Sequence, residues 1–252
     1  MRENENDKKK PNELFFGIRA VIEAIRAGKD VEKVLVQQDL RGPLLTELRK
    51  TIKQYGIPSQ NVPENRLKYI DGNHQGVIAY LSPIEFFDID DLLAGIYERG
   101  ENPFLLIADR INDVRNFGAI CRSAECAGVH AIIIPAKGSA EITADAVKTS
   151  AGALMRIPVC RVKSLPALAE NLKNSGIQLI SCTEKTERSM TDANLKGPVA
   201  IIVGNEEVGI SSTLLNLSDQ CVKIPLKGEI GSLNVSVAAG IIVFEALRQR
   251  DL

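Results

Sequence analysis

The sequence predicts an α/β protein with a small domain, an acidic linker and a larger domain. Over residues 103–252, continuous apolar runs alternate with helical patterns, as in a mostly parallel sheet covered on both faces. Residues 13–81 show a second, shorter alternation of strand and helix patterns. Residues 82–102 hold six acidic side chains and one arginine, which is typical of a linker. With 252 residues and 44% hydrophobic side chains, the chain can form both cores without disulfides or metal ions.

The charge balance neither requires nor excludes a nucleic-acid partner. The formal net charge is -1, which argues weakly against a protein that binds nucleic acid by charge alone. The acidic excess is confined to the linker, however, and residues 12–80 carry a net charge of +2. A basic patch on the folded surface therefore remains compatible with RNA binding.

The other features of the composition predict a cytoplasmic protein without a metal site. Five cysteines without a C-x-x-C pair indicate reduced, mostly buried thiols. The only histidines, His74 and His130, lie in different halves, so neither a metal site nor a histidine-based triad is expected. Residues 1–12 are charged and almost free of apolar side chains, which predicts a disordered tail and no signal peptide. No apolar run is long enough to span a bilayer.

In the small domain, the patterns predict a helix, a strand, a helix, a short helix and a strand. The first helix has apolar residues at helical spacing and ends at Gly28, which can adopt the left-handed conformation of a C-cap. The second has Pro43 in its first turn and Gly56 at its end. In chain order, the segments are LFFGIRAVIEAIRAG, VEKVLVQ, GPLLTELRKTIKQYG, PENRLKYI and QGVIAYLS.

In the large domain, strands and helices alternate to the end of the chain. The predicted strands are FLLIAD, HAIIIP, QLISC, VAIIVG and CVKIP. The helical segments between them are NFGAICRSAECAG, TADAVKTSAGAL, LPALAENLKNSG and SSTLLNLSD, and a long apolar helix ends the chain. Because ligands of such sheets bind beyond the carboxyl ends of the strands, the segments after FLLIAD, VAIIVG and CVKIP are the candidate functional loops.

The segment after FLLIAD offers an asparagine and an arginine. Asn116 is predicted to cap the helix that follows, since asparagine is a favoured N-cap residue. Arg122 lies six residues later on an otherwise apolar stretch. Arg122 is either solvated or paired with an acid, or it faces the mouth of the sheet and holds a phosphate or carboxylate.

The segment after VAIIVG has the form of a ligand loop or of a plain turn with solvated acids. Gly204 ends the buried strand, and Glu206 and a second glycine follow it. Neither G-x-G-x-x-G nor G-K-[ST] is present, so ordinary nucleotide-phosphate binding is not supported. A carboxylate at this place would repel a phosphate, and a cationic or hydroxyl-bearing ligand suits Glu206 better.

The segment after CVKIP interleaves polar and apolar residues where the last helix begins. Ser232 is predicted to cap that helix. Asn234 is a poor choice for a helix interior, so capping by Ser232 does not account for it. Together with Ser236, these residues indicate a hydrogen-bonding wall of a pocket.

Three ordered motifs make the chain resemble the SpoU/TrmH family of RNA 2'-O-ribose methyltransferases, within the SPOUT superfamily. They are NFGAICRSAECAG, IIVGNEEVGI and IPLKGEIGSLNVSVA, and they belong to residues 103–252. Residues 13–81 resemble the L30e-like RNA-binding domain of the family members that act on ribosomal RNA guanosines. One departure is Val114, where the family often has a proline before the motif asparagine.

The resemblance implies a trefoil-knotted parallel sheet that binds S-adenosylmethionine, and a homodimer in which a second subunit completes the site. It implies cofactor contacts from Gly204, Ile224, Leu226 and Leu233, and catalytic roles for Asn116, Arg122, Glu206, Ser232 and Asn234. The expected substrate is a guanosine of large-subunit ribosomal RNA. A tRNA methyltransferase of the same family and a non-catalytic RNA-binding protein are the alternatives, whereas a Rossmann oxidoreductase would need a glycine-rich fingerprint that is missing.

Overall fold

The computed structural model describes residues 14–70 and 72–251, which divide between Pro83 and Ile84 into two compact units. The predicted tail, residues 1–12, lies outside the described residues. The predicted linker contains a helix, Ile89–Glu98, that belongs to the second unit and contributes apolar side chains to its core.

The first unit is a four-stranded mixed sheet with two helices. Its strands, in spatial order β1-β4-β2-β3, pair antiparallel except for the parallel pair β2 and β3. The elements are β1 (Leu14–Phe16), α1 (Ile18–Arg26), β2 (Val31–Gln37), α2 (Pro43–Tyr55), β3 (Ser59–Val62) and β4 (Val77–Leu81).

Three elements of the first unit differ from the sequence prediction. Leu14–Phe16 is a strand and not the start of the helix, because Gly17 at φ 92° separates it from α1. Ser59–Val62 is a strand although three of its four side chains are exposed and polar. The predicted short helix is reduced to a 3-10 turn over Glu64–Arg66.

The second unit is built on a six-stranded sheet in which every pair is parallel, as the continuous apolar strands predict. The spatial order is β10-β8-β9-β5-β6-β7. The strands are β5 (Phe104–Asp109), β6 (Ala131–Pro135), β7 (Val159–Val162), β8 (Gln178–Cys182), β9 (Val199–Gly204) and β10 (Gln220–Val222). The helices are α3 (Ile89–Glu98), α4 (Val114–Cys126), α5 (Ala144–Thr149), α6 (Leu165–Asn174), α7 (Ser212–Leu217) and α8 (Val235–Arg250).

The two faces of this sheet pack against different helices because successive side chains of a strand point to opposite faces. Phe104, Leu106 and Ala108 of β5 join the core that α4, α5 and α8 cover. Leu105 and Ile107 join the core formed with α3, α6 and α7. The sequence did not predict β7, and β10 ends at Val222, three residues before the predicted end at Pro225.

The strand order decides which loops meet. Asp109 at the end of β5 is paired in register with Gly204 at the end of β9, so these two exits lie side by side. The exit of β8 is next to that of β9, and β10 is the edge strand beyond β8. A chain that leaves β10 must therefore pass the exit of β8 to reach the loops after β9 and β5. None of the helices in the described residues is long and apolar enough to cross a membrane.

Candidate active site

A close approach of two backbone segments fixes the loop after β9. A Cβ atom at Gly204 would lie 2.3 Å from the Ile210 backbone nitrogen, a distance that real Cβ atoms do not show. Within the loop, Asn205 Oδ1 accepts hydrogen bonds from the backbone N–H groups of Glu207 (2.9 Å) and Val208 (3.2 Å). Glycine at 204 is thus required for the loop to fold back on its own strand.

A buried carboxylate ties the end of β5 to the same loop. Asp109 accepts a hydrogen bond from the backbone N–H of Ser211 at 2.7 Å and another from Arg110 Nε at 3.2 Å. Arg110 Nη2 in turn donates to the Gly209 carbonyl at 3.1 Å, and the Arg110 carbonyl accepts from Asn205 Nδ2 at 3.1 Å. Asp109 was not among the predicted site residues, although an acid at the end of a fully apolar strand is a usable signal for a role at the strand exit.

Three of the predicted site residues form one hydrogen-bonded cluster. Asn234 Nδ2 donates to Asn116 Oδ1 at 3.0 Å and to Glu206 Oε1. The same Glu206 oxygen accepts from the Val235 backbone N–H at 3.2 Å. Residues that follow β5, β9 and β10 therefore meet at one point, although the sequence separates Asn116 from Asn234 by 118 positions.

Two of the predicted helix caps are wrong. Helix α8 begins at Val235, and its N-cap is Asn234, whose Oδ1 accepts from the backbone N–H groups of Ser236 (3.0 Å) and Val237 (3.4 Å). Ser232 lies outside the helix because the chain from Gly228 to Leu233 is irregular. Asn116 lies inside α4, which is capped by Asp113 through a 2.8 Å bond to the Asn116 N–H.

A cavity of about 400 Å³ lies beside the cluster, a volume typical of small-molecule sites. It is lined by three segments, which are residues 182–185 at the end of β8, residues 203–210 at the end of β9, and residues 231–233 with Val235 at the start of α8. A smaller hollow of about 90 Å³ adjoins it and is lined by Ile224, Leu226 and Leu233, among others. All four predicted cofactor residues and Ser232 line these two spaces. The lining from Thr183 to Lys185 was not predicted, since the exit of β8 was not among the three candidate loops.

The lining fits a ligand that has both an apolar ring and a cationic centre. Leu226 and Leu233 keep partly exposed apolar surface toward the smaller hollow. The carboxylates of Glu184, Glu206 and Glu207 border the larger space and can face a positive charge or accept hydrogen bonds from hydroxyl groups. These properties match the adenine, ribose and sulfonium of S-adenosylmethionine.

The cysteine in this lining is poorly suited to nucleophilic chemistry. Burial, with a smaller contribution from the Glu184 carboxylate, raises the pKa of the Cys182 thiol to about 12. The thiol is therefore neutral at pH 7 and a weak nucleophile. Within residues 14–70 and 72–251, no group of three or more His, Cys, Asp or Glu side chains is placed to hold a metal ion.

Arg122 is not part of this cluster. Its side chain is exposed on α4 and makes no hydrogen bond or ion pair with any residue that the structure describes. A second cavity, of about 250 Å³, adjoins the cluster and is lined by Asn112, Asp113, Asn116 and Glu207, among others, but not by Arg122.

Comparison with known proteins identifies the family. Residues 103–244 match the model of the SpoU rRNA Methylase family, and residues 14–87 match the RNA 2'-O ribose methyltransferase substrate-binding model. The chain is 38% identical over 249 residues to the 23S rRNA (guanosine-2'-O-)-methyltransferase RlmB of Photobacterium profundum, which covers 96% of this chain and 99% of that protein. It is 32% identical over 241 residues to YacO of Bacillus subtilis, a putative TrmH family tRNA/rRNA methyltransferase, with 95% and 97% covered.

A solved structure agrees with this assignment. The SpoU methyltransferase AviRb of Streptomyces viridochromogenes, in complex with AdoMet, superposes with a TM-score of 0.60 at 26% identity and covers 94% of this chain and 90% of its own. The chain belongs to the SpoU family of RNA methylases. It is an RNA 2'-O-ribose methyltransferase, and its methyl donor is S-adenosylmethionine, as the sequence motifs indicated.

Replacing Gly204 with alanine is expected to weaken binding of S-adenosylmethionine by at least about 10-fold, because the loop after β9 must move away from the new Cβ. Gly228→Ala is the control, since a Cβ at Gly228 meets nothing within 4 Å. Isothermal titration calorimetry of both variants measures the effect. Equal affinities of Gly204→Ala and the wild type would contradict the placement of the cofactor beside this loop.

Proposed function

We propose that this enzyme methylates the 2'-hydroxyl of a guanosine in large-subunit ribosomal RNA. The observation that carries the proposal is the Asn116–Glu206–Asn234 cluster next to a cavity of cofactor size. The substrate is supported by the RlmB relatives of Photobacterium profundum and Xanthomonas axonopodis, which are 38% and 36% identical along 96% of this chain. An enzyme with this substrate works in the cytoplasm.

In this proposal, the cluster orients the target ribose for in-line transfer. S-adenosylmethionine supplies the methyl group from a positively charged sulfonium. Asn234 caps α8 with its oxygen and donates both amide protons to Asn116 and Glu206, so it holds these two side chains in place for hydrogen bonds to the ribose. Ser232 adds a hydroxyl at the border of the cavity. Positioning of this kind can lower a barrier by up to about 7–11 kcal/mol.

Arg122 is proposed to bind an RNA phosphate and steer the attacking hydroxyl. A general base must take up the hydroxyl proton, but an arginine in a protein is always protonated, so it suits the phosphate better than the proton. A guanidinium matches the geometry of a phosphate with two parallel hydrogen bonds. The Arg122 side chain has no partner among the described residues of its own chain, so it is available to a phosphate of the RNA or to a group of a second subunit.

We also propose a homodimer whose second subunit supplies Arg122 to the cluster. Helix α8 keeps Val237 49% exposed and Phe244 46% exposed, seven residues apart and hence on one side of the helix. An apolar face of this kind is typical of a subunit interface. The arrangement would explain why Arg122 lines neither cavity of its own chain.

The family resemblance supports two finer features of the fold. The first unit is proposed to be an L30e-like domain that holds the RNA substrate, in line with the substrate-binding match over residues 14–87. The second unit is proposed to contain a trefoil knot at the carboxyl ends of its strands. The path from β10 past the exit of β8 to Asn234 supports a threaded chain.

The proposed substrate is tested by methyl transfer from radiolabelled S-adenosylmethionine to 23S ribosomal RNA and, separately, to bulk tRNA, both from cells that lack this enzyme. Label in 2'-O-methylguanosine of the ribosomal RNA is the expected result. Label in tRNA alone would overturn the proposal in favour of a tRNA methyltransferase, a possibility included in the name of the Bacillus subtilis relative.

Arg122→Ala is expected to lower turnover by at least about 100-fold, because a positioned charge is lost from the transition state, while the affinity for S-adenosylmethionine stays the same. Single-turnover methylation and calorimetry separate the two effects. Arg99→Ala is the control, since Arg99 is an exposed arginine at the end of α3, on the other side of the sheet. Substantial turnover in Arg122→Ala would refute the role assigned to this residue.

Phe244→Asp is expected to convert the dimer to a monomer, since it would bury a carboxylate in an apolar interface. Sedimentation velocity measures the change, and Tyr97→Asp on α3, which is 44% exposed in the wild type, serves as the control. A wild-type protein that sediments as a monomer would rule the dimer out. So would a Phe244→Asp variant that sediments as the wild type does.

A further inference from the structure

One end of the sheet in the first unit gathers four parts of the chain. Strands β2 and β3 run parallel, with Gln37 paired to Val62 at their carboxyl ends. Strand β4 runs the opposite way, so its first residue, Val77, lies at the same end, where it pairs with Val36. Strand β1 is antiparallel to β4 and ends there as well. We call this the loop end; it comprises Phe16, residues 37–42, residues 62–70 and residues 72–77.

The loop end presents a tyrosine ring that the fold holds in solvent. Tyr69 is 91% exposed, although its neighbour Leu67 is fully buried and Ile70 packs on the same small core. The turn is thus anchored on both sides of the tyrosine. Because these buried neighbours fix the backbone, the tyrosine ring points into solvent from an anchored turn and not from a flexible loop.

A second aromatic ring lies at the same end. Phe16 is 39% exposed, and its ring packs directly over the backbone of Gly72, where a Cβ would lie 2.8 Å from Phe16 Cε2. Gly72 is the first of the described residues 72–76, which lead into β4. Two apolar ring surfaces are therefore exposed on adjoining segments of the loop end.

Cationic and amide groups lie at the same end of the sheet. The side chains of Arg41 and Arg66 are exposed and make no hydrogen bond or ion pair within the part of the chain that the structure describes. The Lys68 ammonium lies 3.5 Å from a Glu64 carboxylate oxygen, on an exposed pair that contributes little and can be exchanged for a phosphate. His74 Nδ1 accepts from the Gly76 N–H at 3.0 Å. Exposed amides at this end are Gln38, Asn73 and Gln75.

We propose that the loop end is the surface that grips unpaired nucleotides of the RNA substrate, with a base stacked on Tyr69 and phosphates bound by Arg66 and Arg41. The proposal rests on the proposed function, since it assumes an RNA substrate. Exposed cations without rings would indicate binding to the backbone of a nucleic-acid duplex, and exposed rings without cations would indicate binding to a protein. The two together suit single-stranded RNA, whose bases stack on aromatic rings while the backbone follows positive charge.

The opposite end of the same sheet provides a matched control. Helix α2 starts just after the carboxyl end of β2 and runs back along the sheet, so it ends at the other side. Its last residue, Tyr55, is 47% exposed. Tyr55→Ala therefore removes an exposed tyrosine from the same unit without touching the loop end.

The experiment measures binding of the full-length enzyme to in vitro transcribed 23S ribosomal RNA by filter binding, in the presence of S-adenosylhomocysteine. Tyr69→Ala is expected to weaken binding about 10-fold, the loss typical of one stacked base. Tyr69→Phe keeps a stacking ring and should bind as the wild type does, and so should Tyr55→Ala. Calorimetric titration with S-adenosylhomocysteine should give the same affinity for all four proteins, which shows that the second unit is intact, and matching circular dichroism spectra show that the first unit is folded.

The salt dependence tests the role of the cations. Arg66→Ala is expected to lower the slope of log K against log salt concentration by about one, as for the loss of one phosphate contact. Arg99→Ala, from the second unit, should leave the slope unchanged.

The inference and the proposed function can fail separately. If Tyr69→Ala binds as tightly as the wild type, or if Tyr55→Ala weakens binding as much, the loop end is not the RNA surface, even where the wild type methylates a ribosomal guanosine. If the wild type binds and methylates only tRNA, the affinities of the same variants are measured on tRNA. A 10-fold loss of tRNA affinity in Tyr69→Ala then still supports the loop end as the RNA-binding surface. A wild type that binds neither RNA overturns both proposals.

Discussion

The side-chain amide of Asn234 joins three segments that the chain brings together from far apart. Its oxygen satisfies the first N–H groups of α8, and its nitrogen donates to Asn116 and to Glu206. Both halves of the amide are thus used, which fixes its orientation. The first N–H groups of a helix have no partners within the helix, and Asn234 bonds to them while it also joins Asn116 to Glu206. The position of α8, the loop after β9 and the start of α4 all depend on this contact.

The loop after β9 is held just as firmly from its other side. The missing Cβ of Gly204 lets the chain turn back onto Ile210, and the buried Asp109 holds the N–H of Ser211. The cavity next to this loop therefore has walls set by backbone contacts and by a buried hydrogen bond. Walls of this kind change little when a ligand binds, and they hold a small cofactor in a constant position relative to the cluster.

The two units divide the work in the proposed mechanism. The second unit holds the cofactor and the polar cluster, on the ends of rigid parallel strands. The first unit offers exposed rings and cations on loops, which suits a large and variable RNA surface. Because the chemistry needs a well-defined geometry and RNA recognition needs area, it is physically reasonable that they occupy different folded units.

The sequence alone determined the α/β class, the parallel sheet of the second unit and most of its elements, because strand and helix periodicities are local properties. It also indicated Glu206 and Asn234, since polar residues at strand exits break those patterns, whereas the site role of Asn116 followed from the family motif that it begins. It did not give the N-cap of α8, where a serine and an asparagine are equally good caps by type and only the irregular path of residues 228–233 decides. Nor did it give β3, whose polar residues form a strand only because β2 offers them hydrogen bonds.

Tertiary structure alone decided which strand exits share a cavity. The order β10-β8-β9-β5 places the exit of β8 between the loops that the motifs mark, so Thr183 and Glu184 line the cavity without any local signal. It likewise left Arg122 away from the cluster, although the motif that contains it suggested otherwise. Strand order and chain crossing depend on packing between residues that are distant in sequence, and local patterns carry no information about them.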